Sequence, residues 1–344
     1  MQENEPREDD LQEIVLDDLD QRLIHAVQVS PRATWTALAP VVGADPVTLS
    51  RRWRRLIESG AVYVTSYGDG VGLGGMLVLI EIDCSPGETL AVAAELAQDR
   101  EVATIDLTAG GRDMLLTVGV SDAAALADWT LERIRGVAGI RAMRTHLVSE
   151  SVRDARDWRL RALTPTEVSR LEALDPPAPA IPVRLNAEQR RRLRAELAKD
   201  GRIGSTLLAK RVGVAPRRVR DAISQMRSSG RLAIRVDIAR DQTPWPIYAW
   251  YFLRVPAAMV ERIGSQLGRM DEVRLVVNTV GEYNVIMAVW LRTLQDVSRL
   301  EAMIEERLPG ATIADRSVVL RTVKHLGHLL DRDGRSTGKT VPLS

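Results

Sequence analysis

Residues 16–62 read LDDLDQRLIHAVQVSPRATWTALAPVVGADPVTLSRRWRRLIESGAV, and residues 186–232 read NAEQRRRLRAELAKDGRIGSTLLAKRVGVAPRRVRDAISQMRSSGRL. The two stretches align without a gap when Gly43 is placed over Gly213. Identical pairs include Arg22/Arg192, Leu23/Leu193, Arg32/Arg202, Thr36/Thr206, Leu38/Leu208, Pro46/Pro216 and Gly60/Gly230. Similarity continues further along, where Thr108 and Gly110 align with Thr279 and Gly281. The sequence therefore predicts one two-domain unit that occurs twice in the chain.

Each quoted stretch predicts three helices with a glycine-centred turn between the last two. In the first copy, apolar residues recur at helical spacing over Leu16–Gln28, and a short helix over Thr34–Val42 ends at Gly43. Asp45 is placed to cap a third helix that begins at Pro46. This arrangement is typical of a helix-turn-helix domain.

The third helix of each copy carries arginines on the face opposite its apolar stripe, a pattern that favours contact with DNA. From Arg184 to Arg235, fifteen basic residues stand against four acids, whereas Met76–Val152 has six arginines and twelve acids. A basic block beside an acidic one indicates that one module meets a polyanion. A solvated helix face remains the alternative. The predicted DNA-contacting residues are Thr48, Ser50, Arg51, Arg52, Arg54, Arg55, Arg217, Arg218 and Arg220.

The second module of each copy predicts the order β-α-β-β-α-β. Apolar strand-like runs and helical segments alternate in this order from Met76 to Val148 and again from Tyr248 to Leu320. A Gly-centred hairpin lies between the second and third strands, at Gly110 and at Gly281. The predicted fold class is α+β: two tandem units, each a winged-helix-like helix-turn-helix followed by a ferredoxin-like βαββαβ domain.

These patterns divide the chain into seven segments. Between the units, Thr164–Glu167 predicts a capping box that opens a short helix, and Asp175–Pro182 predicts a stiff extended spacer that sets the separation of the two DNA-binding domains. The predicted segments are a disordered acidic tail (1–15), helix-turn-helix 1 (16–67), βαββαβ domain 1 (74–152), a helical and Pro-rich linker (153–184), helix-turn-helix 2 (185–240), βαββαβ domain 2 (247–324) and a C-terminal tail (325–344).

A helix-turn-helix, a connecting strand and a βαββαβ domain with a Gly-x-x-Asp hairpin resemble the Lrp/AsnC (feast/famine) family of transcription regulators. The resemblance covers residues 16–152 and 185–324, so the chain looks like a tandem form of the family's single unit. It implies three partners: double-stranded DNA, a small-molecule effector that is usually an amino acid, and further copies of the chain in a homodimer or larger assembly.

The resemblance also implies an effector site near the hairpin of each βαββαβ domain. An aspartate there accepts a hydrogen bond from an α-ammonium group, whereas the second copy has Asn284 and lacks that charge. The alternative is that these residues only build the turn. The residues implied are Thr108, Gly110 and Asp113 in the first copy, and Thr279, Gly281 and Asn284 in the second.

Composition narrows the classes of protein to which the chain could belong. No apolar run approaches the length of a membrane span, and the acidic start lacks the apolar core of a secretory leader. Cys84 is the only cysteine, so an intrachain disulfide is excluded and the cytoplasm is the expected compartment. With four histidines, including a pair at His325 and His328 on a predicted helix, we expect neither a metal site nor a cofactor.

Two other functions stay open at this stage. Sirohaem decarboxylases resemble the same two-module family and use basic and histidine residues near the sheet, but in the sequence only His146 falls within the predicted sheet modules. The third possibility is a sensor or assembly protein whose helix-turn-helix no longer binds DNA. It rests on the arginines that the second copy lacks, such as the one replaced by Ala222.

Overall fold

The computed structural model describes residues 15–68 and 75–343. The predicted acidic tail lies outside the described residues except for Val15. Residues 69–74, which include the first residue of the predicted βαββαβ domain 1, also lie outside them.

The first three helices form the predicted helix-turn-helix. They are α1 (Asp18–Val29), α2 (Trp35–Val42) and α3 (Pro46–Glu58), followed by strand β1 (Val62–Tyr67). Thr34 and Asp45 accept backbone hydrogen bonds as N-caps of α2 and α3. Gly43 between them has φ +89°, a left-handed conformation that ends α2 as predicted.

A second set of three helices and a strand follows the linker in the same order. These are α7 (Ala187–Lys199), α8 (Ser205–Val212), α9 (Pro216–Ser228) and β6 (Ala233–Ile238). Asn186 and Gln189 form a capping box at the start of α7, and Gly213 ends α8 in the left-handed region. The helices of the two sets therefore begin and end with similar capping residues and glycine turns, although Ala215 replaces the capping aspartate of α3.

The two helical sets pack on each other as one body. Strands β1 and β6 pair antiparallel into a two-stranded ribbon, with Val62 opposite Ile238 and Tyr67 opposite Ala233. Apolar side chains from both sets, among them Leu23, Leu49 and Leu193, share one hydrophobic core. Burying these faces together removes apolar surface from water that neither set covers alone.

A reciprocal pair of arginines fixes the contact. Arg32 donates to the carbonyls of Gly201 (2.7 Å) and Ile203 (2.9 Å). Arg202, which aligns with Arg32 in the repeat, donates to the carbonyls of Pro31 (2.5 Å) and Ala33 (2.9 Å). Each guanidinium thus binds the loop of the other set, as expected of an interface with two-fold pseudosymmetry.

The sheet elements occur as two βαββαβ runs. The first comprises β2 (Met76–Cys84), α4 (Thr89–Leu96), β3 (Val102–Ala109), β4 (Met114–Val120), α5 (Ala123–Asp128) and β5 (Ile140–Arg153). A short helix, α6 (Pro165–Glu172), lies in the linker. The second run comprises β7 (Ile247–Arg254), α10 (Val260–Leu267), β8 (Val273–Val280), β9 (Val285–Leu291), α11 (Gln295–Arg307) and β10 (Thr312–His325).

The eight strands of the two runs close into a ring in the order β3-β4-β2-β5-β8-β9-β7-β10, because β10 pairs with both β7 and β3. The long strands β5 and β10 join the runs. Leu147 on β5 pairs with Val78 of its own run and Val280 of the other. Val318 on β10 pairs in the equivalent way with Ala249 and Ala109. The two runs thus pair with each other at both sheet edges within one chain, and neither edge is left for a second copy to pair with.

Three predictions about the ends of elements are wrong. The residues after 324 do not form a tail, because β11 (His328–Leu330) and β12 (Ser336–Thr340) extend the sheet beyond β10. His325 and His328 therefore lie on strands joined by Leu326 and Gly327, not on a helix. For the same reason His146 is not the only histidine in the sheet.

The linker does not act as a spacer. The capping box at Thr164 and Glu167 forms as predicted, and Glu167 also binds Arg22 of α1 (2.6 Å). Further along, Asp175 binds Arg227 of α9 through both carboxylate oxygens (2.9 and 2.7 Å). Composition indicated a stiff segment, but buried anchors in the shared core, including Leu171, hold the linker against both helical sets.

Candidate DNA-binding surface and ligand cavity

The exposed face of α3 presents two arginines to solvent. Leu49, Trp53 and Leu56 are buried, so Arg51 and Arg54 lie on the opposite side and are exposed. Within the described part of the chain neither arginine has an ion-pair partner, and Thr48 and Ser50 are partly exposed beside them. Unpaired guanidinium groups on a third helix are able to bind phosphates and base edges.

The other two predicted arginines of α3 are engaged within the protein. Arg52 binds Asp17 (2.6 Å) and Asp20 (3.0 Å), and Arg55 binds Asp20 (2.5 Å). Asp20 is fully buried, so these ion pairs hold α1 against α3. The prediction that all four arginines face outward is therefore wrong for Arg52, because the repeat pattern does not reveal the acids of α1 that lie beside it.

Helix α9 presents a different face. Arg217, Arg218 and Arg220 are exposed, as predicted, near its start. Arg218 already donates to the carbonyl of Arg184 in the linker. Further along, the Ser224 hydroxyl donates to the carbonyls of Pro176 (2.9 Å) and Pro177 (2.8 Å), and Ser224 is buried.

The linker thus covers the part of α9 that is exposed on α3. In the repeat alignment Ser224 corresponds to Arg54, so the linker lies where α3 presents a guanidinium to solvent. Val183 reinforces the contact, because its amide donates to Gln225 of α9 (2.7 Å). The open basic surface of α9 is consequently limited to its first turns.

The predicted effector residues of the first copy build a hairpin. Thr108 donates from its hydroxyl to the carbonyl of Arg112 (2.8 Å), and its amide donates to the carbonyl of Asp113 (2.9 Å). The carboxylate of Asp113 accepts a hydrogen bond from the amide of Cys84 (2.6 Å). Gly110 has φ +126°, and a Cβ there would lie 3.1 Å from the carbonyl oxygen of Arg316.

The second copy repeats this geometry with an amide. Asn284 accepts from the amide of Val255 (2.9 Å) and donates to its carbonyl (2.6 Å). Thr279 donates to the carbonyl of Tyr283 (2.6 Å), and Gly281 has φ +153°. The structure therefore brings each triplet together in its own turn, and the side chains of Thr108, Asp113, Thr279 and Asn284 each have a hydrogen-bond partner there.

Sequence reasoning missed a buried network between the two runs. The Arg112 guanidinium donates to Glu81 (2.7 Å), Asp315 (2.5 Å) and the hydroxyl of Ser317, and it lies 4.0 Å from the centre of the Phe252 ring. Its signal in the sequence is Glu81 itself, a lone acid in the apolar run Met76–Ile82.

Glu81 is ionised and held by two buried partners, with the exposed Arg144 as a third at 3.5 Å. His146 binds it at 2.6 Å through Nε2, opposite Arg112. Burial would raise the pKa of Glu81, but the hydrogen bonds and charges of His146 and Arg112 outweigh it and lower that pKa to about 2. The rings of Phe252 and Tyr283 pack against His146 from the second run. We call Glu81, Arg112, His146, Phe252, Tyr283 and Ser317 the interface network.

A cavity of about 130 Å³ lies between the β1–β6 ribbon and the sheet. We call it the central cavity. Its wall is rich in aromatic rings and arginines from both halves of the molecule. The main ones are Tyr63, Tyr67, Arg235 and Arg240 on the ribbon side and Tyr248, Trp250, Arg274 and Trp290 on the sheet side. Lone arginines inside apolar strands, as in AIRVDI and VRLVVNTV, are the sequence signal for it.

Three further features bear on the predictions. Among the described residues, no three side chains of His, Cys, Asp or Glu come together in a way that could hold a metal ion. Cys84 is buried, and burial raises the pKa of its thiol, which makes it a poor nucleophile. None of the described helices is long and apolar enough to cross a membrane.

Comparison with known proteins identifies both modules of the first unit. Residues 16–57 match the family model of the AsnC-type helix-turn-helix domain, and residues 77–158 match that of the Lrp/AsnC ligand binding domain. The HTH-type transcriptional regulator AldR of Mycolicibacterium smegmatis is 28% identical over 145 residues, which is 41% of this chain and 85% of AldR. The HTH-type transcriptional regulator FL11 of Pyrococcus horikoshii is 25% identical over 146 residues, 42% of this chain and 96% of FL11.

A solved structure extends the likeness to most of the chain. The siroheme decarboxylase NirDL has a TM-score of 0.56 and covers 90% of this chain and 93% of its own, at 15% identity. At that identity the likeness shows the fold and not the activity. The family assignment rests on the two domain models and on the named regulators. Residues 16–57 and 77–158 of this chain carry the two domains that the Lrp/AsnC family models describe.

Proposed function

We propose that the protein is a DNA-binding transcription regulator that carries two tandem units on one chain. The observation that carries this proposal is the face of α3, where Arg51 and Arg54 are exposed and unpaired within the described residues. Double-stranded DNA is the polyanion that such a face fits best. A regulator of this kind works in the cytoplasm, next to its DNA.

Three observations support the tandem interpretation. The helical sets repeat the same order of elements, and Arg32 and Arg202 make reciprocal contacts between them. The strand registers of β5 and β10 repeat as well, residue for residue. The likeness of fold to a solved structure also spans nine-tenths of both chains.

In this proposal the two DNA-binding domains contribute unequally. Thr48, Ser50, Arg51 and Arg54 of the first contact DNA, while Arg52 and Arg55 hold α1 in place. In the second, Arg217 and Arg220 remain exposed, although Arg217 lies 3.8 Å from Asp221. Arg218 and the later part of α9 bind the linker. The first domain is therefore the main reader of sequence.

Fluorescence anisotropy tests DNA binding directly. The full chain is titrated onto DNA from upstream of its own gene and onto unrelated DNA of equal length, over a range of salt concentrations. We expect tighter binding to the upstream DNA and an affinity that falls steeply with salt, because phosphate contacts release counterions. Equal affinity for both DNAs would contradict sequence-specific regulation, and no binding at low salt would contradict any role on DNA.

We further propose that an amino acid modulates this binding at the hairpins of the βαββαβ domains, with Thr108, Gly110 and Asp113 in the first copy and Thr279, Gly281 and Asn284 in the second. Asp113 is the acid able to bind an α-ammonium group. The second copy supplies the matched substitution, because Asn284 satisfies the equivalent backbone amide with an uncharged side chain.

Asp113→Asn is therefore expected to keep the fold and DNA affinity while abolishing the response to amino acids. The measurement is DNA anisotropy with the twenty amino acids added singly. A response that is unchanged in Asp113→Asn would place the effector elsewhere. Asp113→Ala serves as a comparison, because it also removes the acceptor for the Cys84 amide and should lower stability by about 1–2 kcal/mol.

A further inference from the structure

The central cavity has a buried cation in its wall that lacks a counter-ion. Arg274 on β8 is 5% exposed and lies between two indole rings, 3.9 Å from the centre of Trp158 and 3.7 Å from that of Trp290. Its Nη1 has no hydrogen-bond partner among the described residues. Stacking satisfies the faces of the guanidinium, but it leaves the in-plane donors unmatched.

The carboxylates near the cavity are already bound to other groups. Asp237 pairs with Arg235 and lies 3.5 Å from His325. Asp154 accepts from the Tyr67 hydroxyl at 2.9 Å. Asp106 accepts from Trp250 (3.0 Å) and Thr322 (2.7 Å).

Two arginines in the cavity wall are left without a paired carboxylate. Within the described residues, neither Arg274 nor Arg240 forms an ion pair, and both line the cavity. An uncompensated buried cation is costly, so a bound anion would be favoured strongly here. Of the common anions, a carboxylate accepts the in-plane donors of a guanidinium with the best geometry.

The rest of the cavity wall indicates the size and polarity of the part of the ligand beyond its carboxylate. Tyr248, Trp250 and Trp290 present aromatic surface to a space of about 130 Å³. A cavity of roughly 150 Å³ takes up benzene, so the space suits one ring and its substituent. We propose that the central cavity is a binding site for a small monocarboxylate with a ring-sized apolar body, whose carboxylate binds Arg274.

The position of the cavity gives this ligand a mechanical role. Tyr63 and Tyr67 on the ribbon continue into the DNA-binding body, whereas Trp290 and Arg274 belong to the sheet. A ligand in contact with both walls would tie the two bodies together. The site is separate from the hairpins at Gly110 and Gly281 and does not depend on the proposed amino-acid response.

Isothermal titration calorimetry on the full chain tests the proposal with benzoate and phenylacetate, and with benzamide as the uncharged control. We expect saturable binding of at least one acid and at least tenfold weaker binding of benzamide. Arg274→Met should weaken binding of the acid by at least tenfold, because it keeps the bulk of the side chain between the rings and removes the charge. Arg292→Met is the matched control, since Arg292 is exposed and lies outside the cavity wall.

A second variant guards against misfolding. Thr117→Leu fills the cavity from β4 and leaves Arg274 intact, so it too should no longer bind the acid. DNA anisotropy and circular dichroism of each variant report on the fold independently of the ligand. No saturable heat with either acid, equal binding of benzamide, or undiminished binding by both Arg274→Met and Thr117→Leu would overturn the proposal. A chain that binds acid but not DNA would overturn only the proposed function.

Discussion

Arg112 shows how one buried side chain joins the two βαββαβ runs. Its guanidinium is 3% exposed and contacts Glu81 from its own run and Asp315 and Ser317 from the other. A buried ion pair adds little net stability when complete, but removing one partner leaves an uncompensated charge. The interface network therefore contributes more to the specificity of the contact between the two runs than to its stability.

Arg112→Met should lower the free energy of unfolding by about 3–5 kcal/mol, because Glu81 then keeps only His146 as a buried partner, beside the exposed Arg144 at 3.5 Å. Urea denaturation at neutral pH measures the change. Arg254→Met is the matched control, since Arg254 pairs with Glu282 on the surface and should cost less than about 1 kcal/mol. Similar decreases in both variants would show that the interface network is not a buried charge site.

Two buried histidines predict how stability depends on pH. Burial lowers the pKa of His25 and of His328 to about 4 in the folded protein. In the unfolded chain both titrate near 6.5, so the unfolded state takes up protons first as the pH falls. The stabilisation is complete above about pH 6.5 and is lost as the pH falls toward 4.

Between pH 7 and pH 5 each histidine should therefore cost roughly 2 kcal/mol of stability. His25→Asn tests the contribution of His25 to this loss of stability. Nδ1 of His25 accepts a hydrogen bond from the Leu163 amide at 2.9 Å, and an asparagine oxygen is able to accept the same hydrogen bond. Urea denaturation at the two pH values should show a smaller decrease in the variant. An equal decrease in both proteins would mean that His25 does not drive the acid sensitivity.

At the scale of elements, α3 and α9 have the same framework and different surfaces. Both begin with proline after an extended residue, and both bury two equivalent positions, Leu49 and Trp53 on α3 and Val219 and Ile223 on α9. Their outer faces differ. The outer face of α3 is open to solvent, whereas the linker covers the outer face of α9 beyond Arg220. DNA contacts should therefore be unequal.

Arg51→Ala with Arg54→Ala should weaken specific DNA binding by about 1–3 kcal/mol for each arginine that reads a base, and should reduce the salt slope. Arg217→Ala with Arg220→Ala should cost less, because the second domain has fewer accessible donors. Anisotropy on the upstream DNA measures both, with Arg307→Ala of α11 as an exposed control far along the chain. A larger effect of the α9 pair would reverse the proposed order of the two domains.

The helices and hairpins were predictable because their signals are local. Asp45, Pro46 and Gly43 specify the turn between α2 and α3 by cap chemistry and backbone conformation alone. The ion pairs of Arg52 were not predictable, because the acids that bind it lie on or next to α1 and come close only when α1 packs against α3. The linker prediction failed for the same reason, because proline content indicates stiffness but does not identify the surface on which the segment lies.

At the scale of the whole molecule, closure of the sheet within one chain changes what assembly requires. The strand pattern predicts burial of each sheet but not the identity of its partner, so the sequence favoured pairing between chains. In the structure β5 and β10 make those pairings internally. In the proposed function the one chain holds both DNA-binding domains, so a homodimer or larger assembly has to use other surfaces.

The interface network makes the two βαββαβ runs different from each other. Glu81, Arg112 and His146 occupy the positions that Phe252, Tyr283 and Ser317 occupy in the second unit. Charged groups from one unit thus meet aromatic groups from the other. Two identical units would place either both charged sets or both aromatic sets at this point, which disfavours exchange between chains.

The chain should consequently bind DNA at a stoichiometry of one closed pair of domains per 38.0 kDa. Sedimentation equilibrium of the protein on a single upstream site measures this directly. We expect the smallest specific complex to hold one chain, with larger complexes forming as concentration rises. A smallest specific complex with two chains would show that the pair within one chain does not act as the binding unit.

The unequal faces of α3 and α9 also give the molecule a direction. A protein made of two identical halves reads a site the same way from either end, so it has no upstream or downstream side. Here one end of the pair presents Arg51 and Arg54, and the other presents a helix partly covered by its linker. Bound to a promoter, such a chain has a leading and a trailing end, and reversing its site would turn a different surface toward the start of transcription.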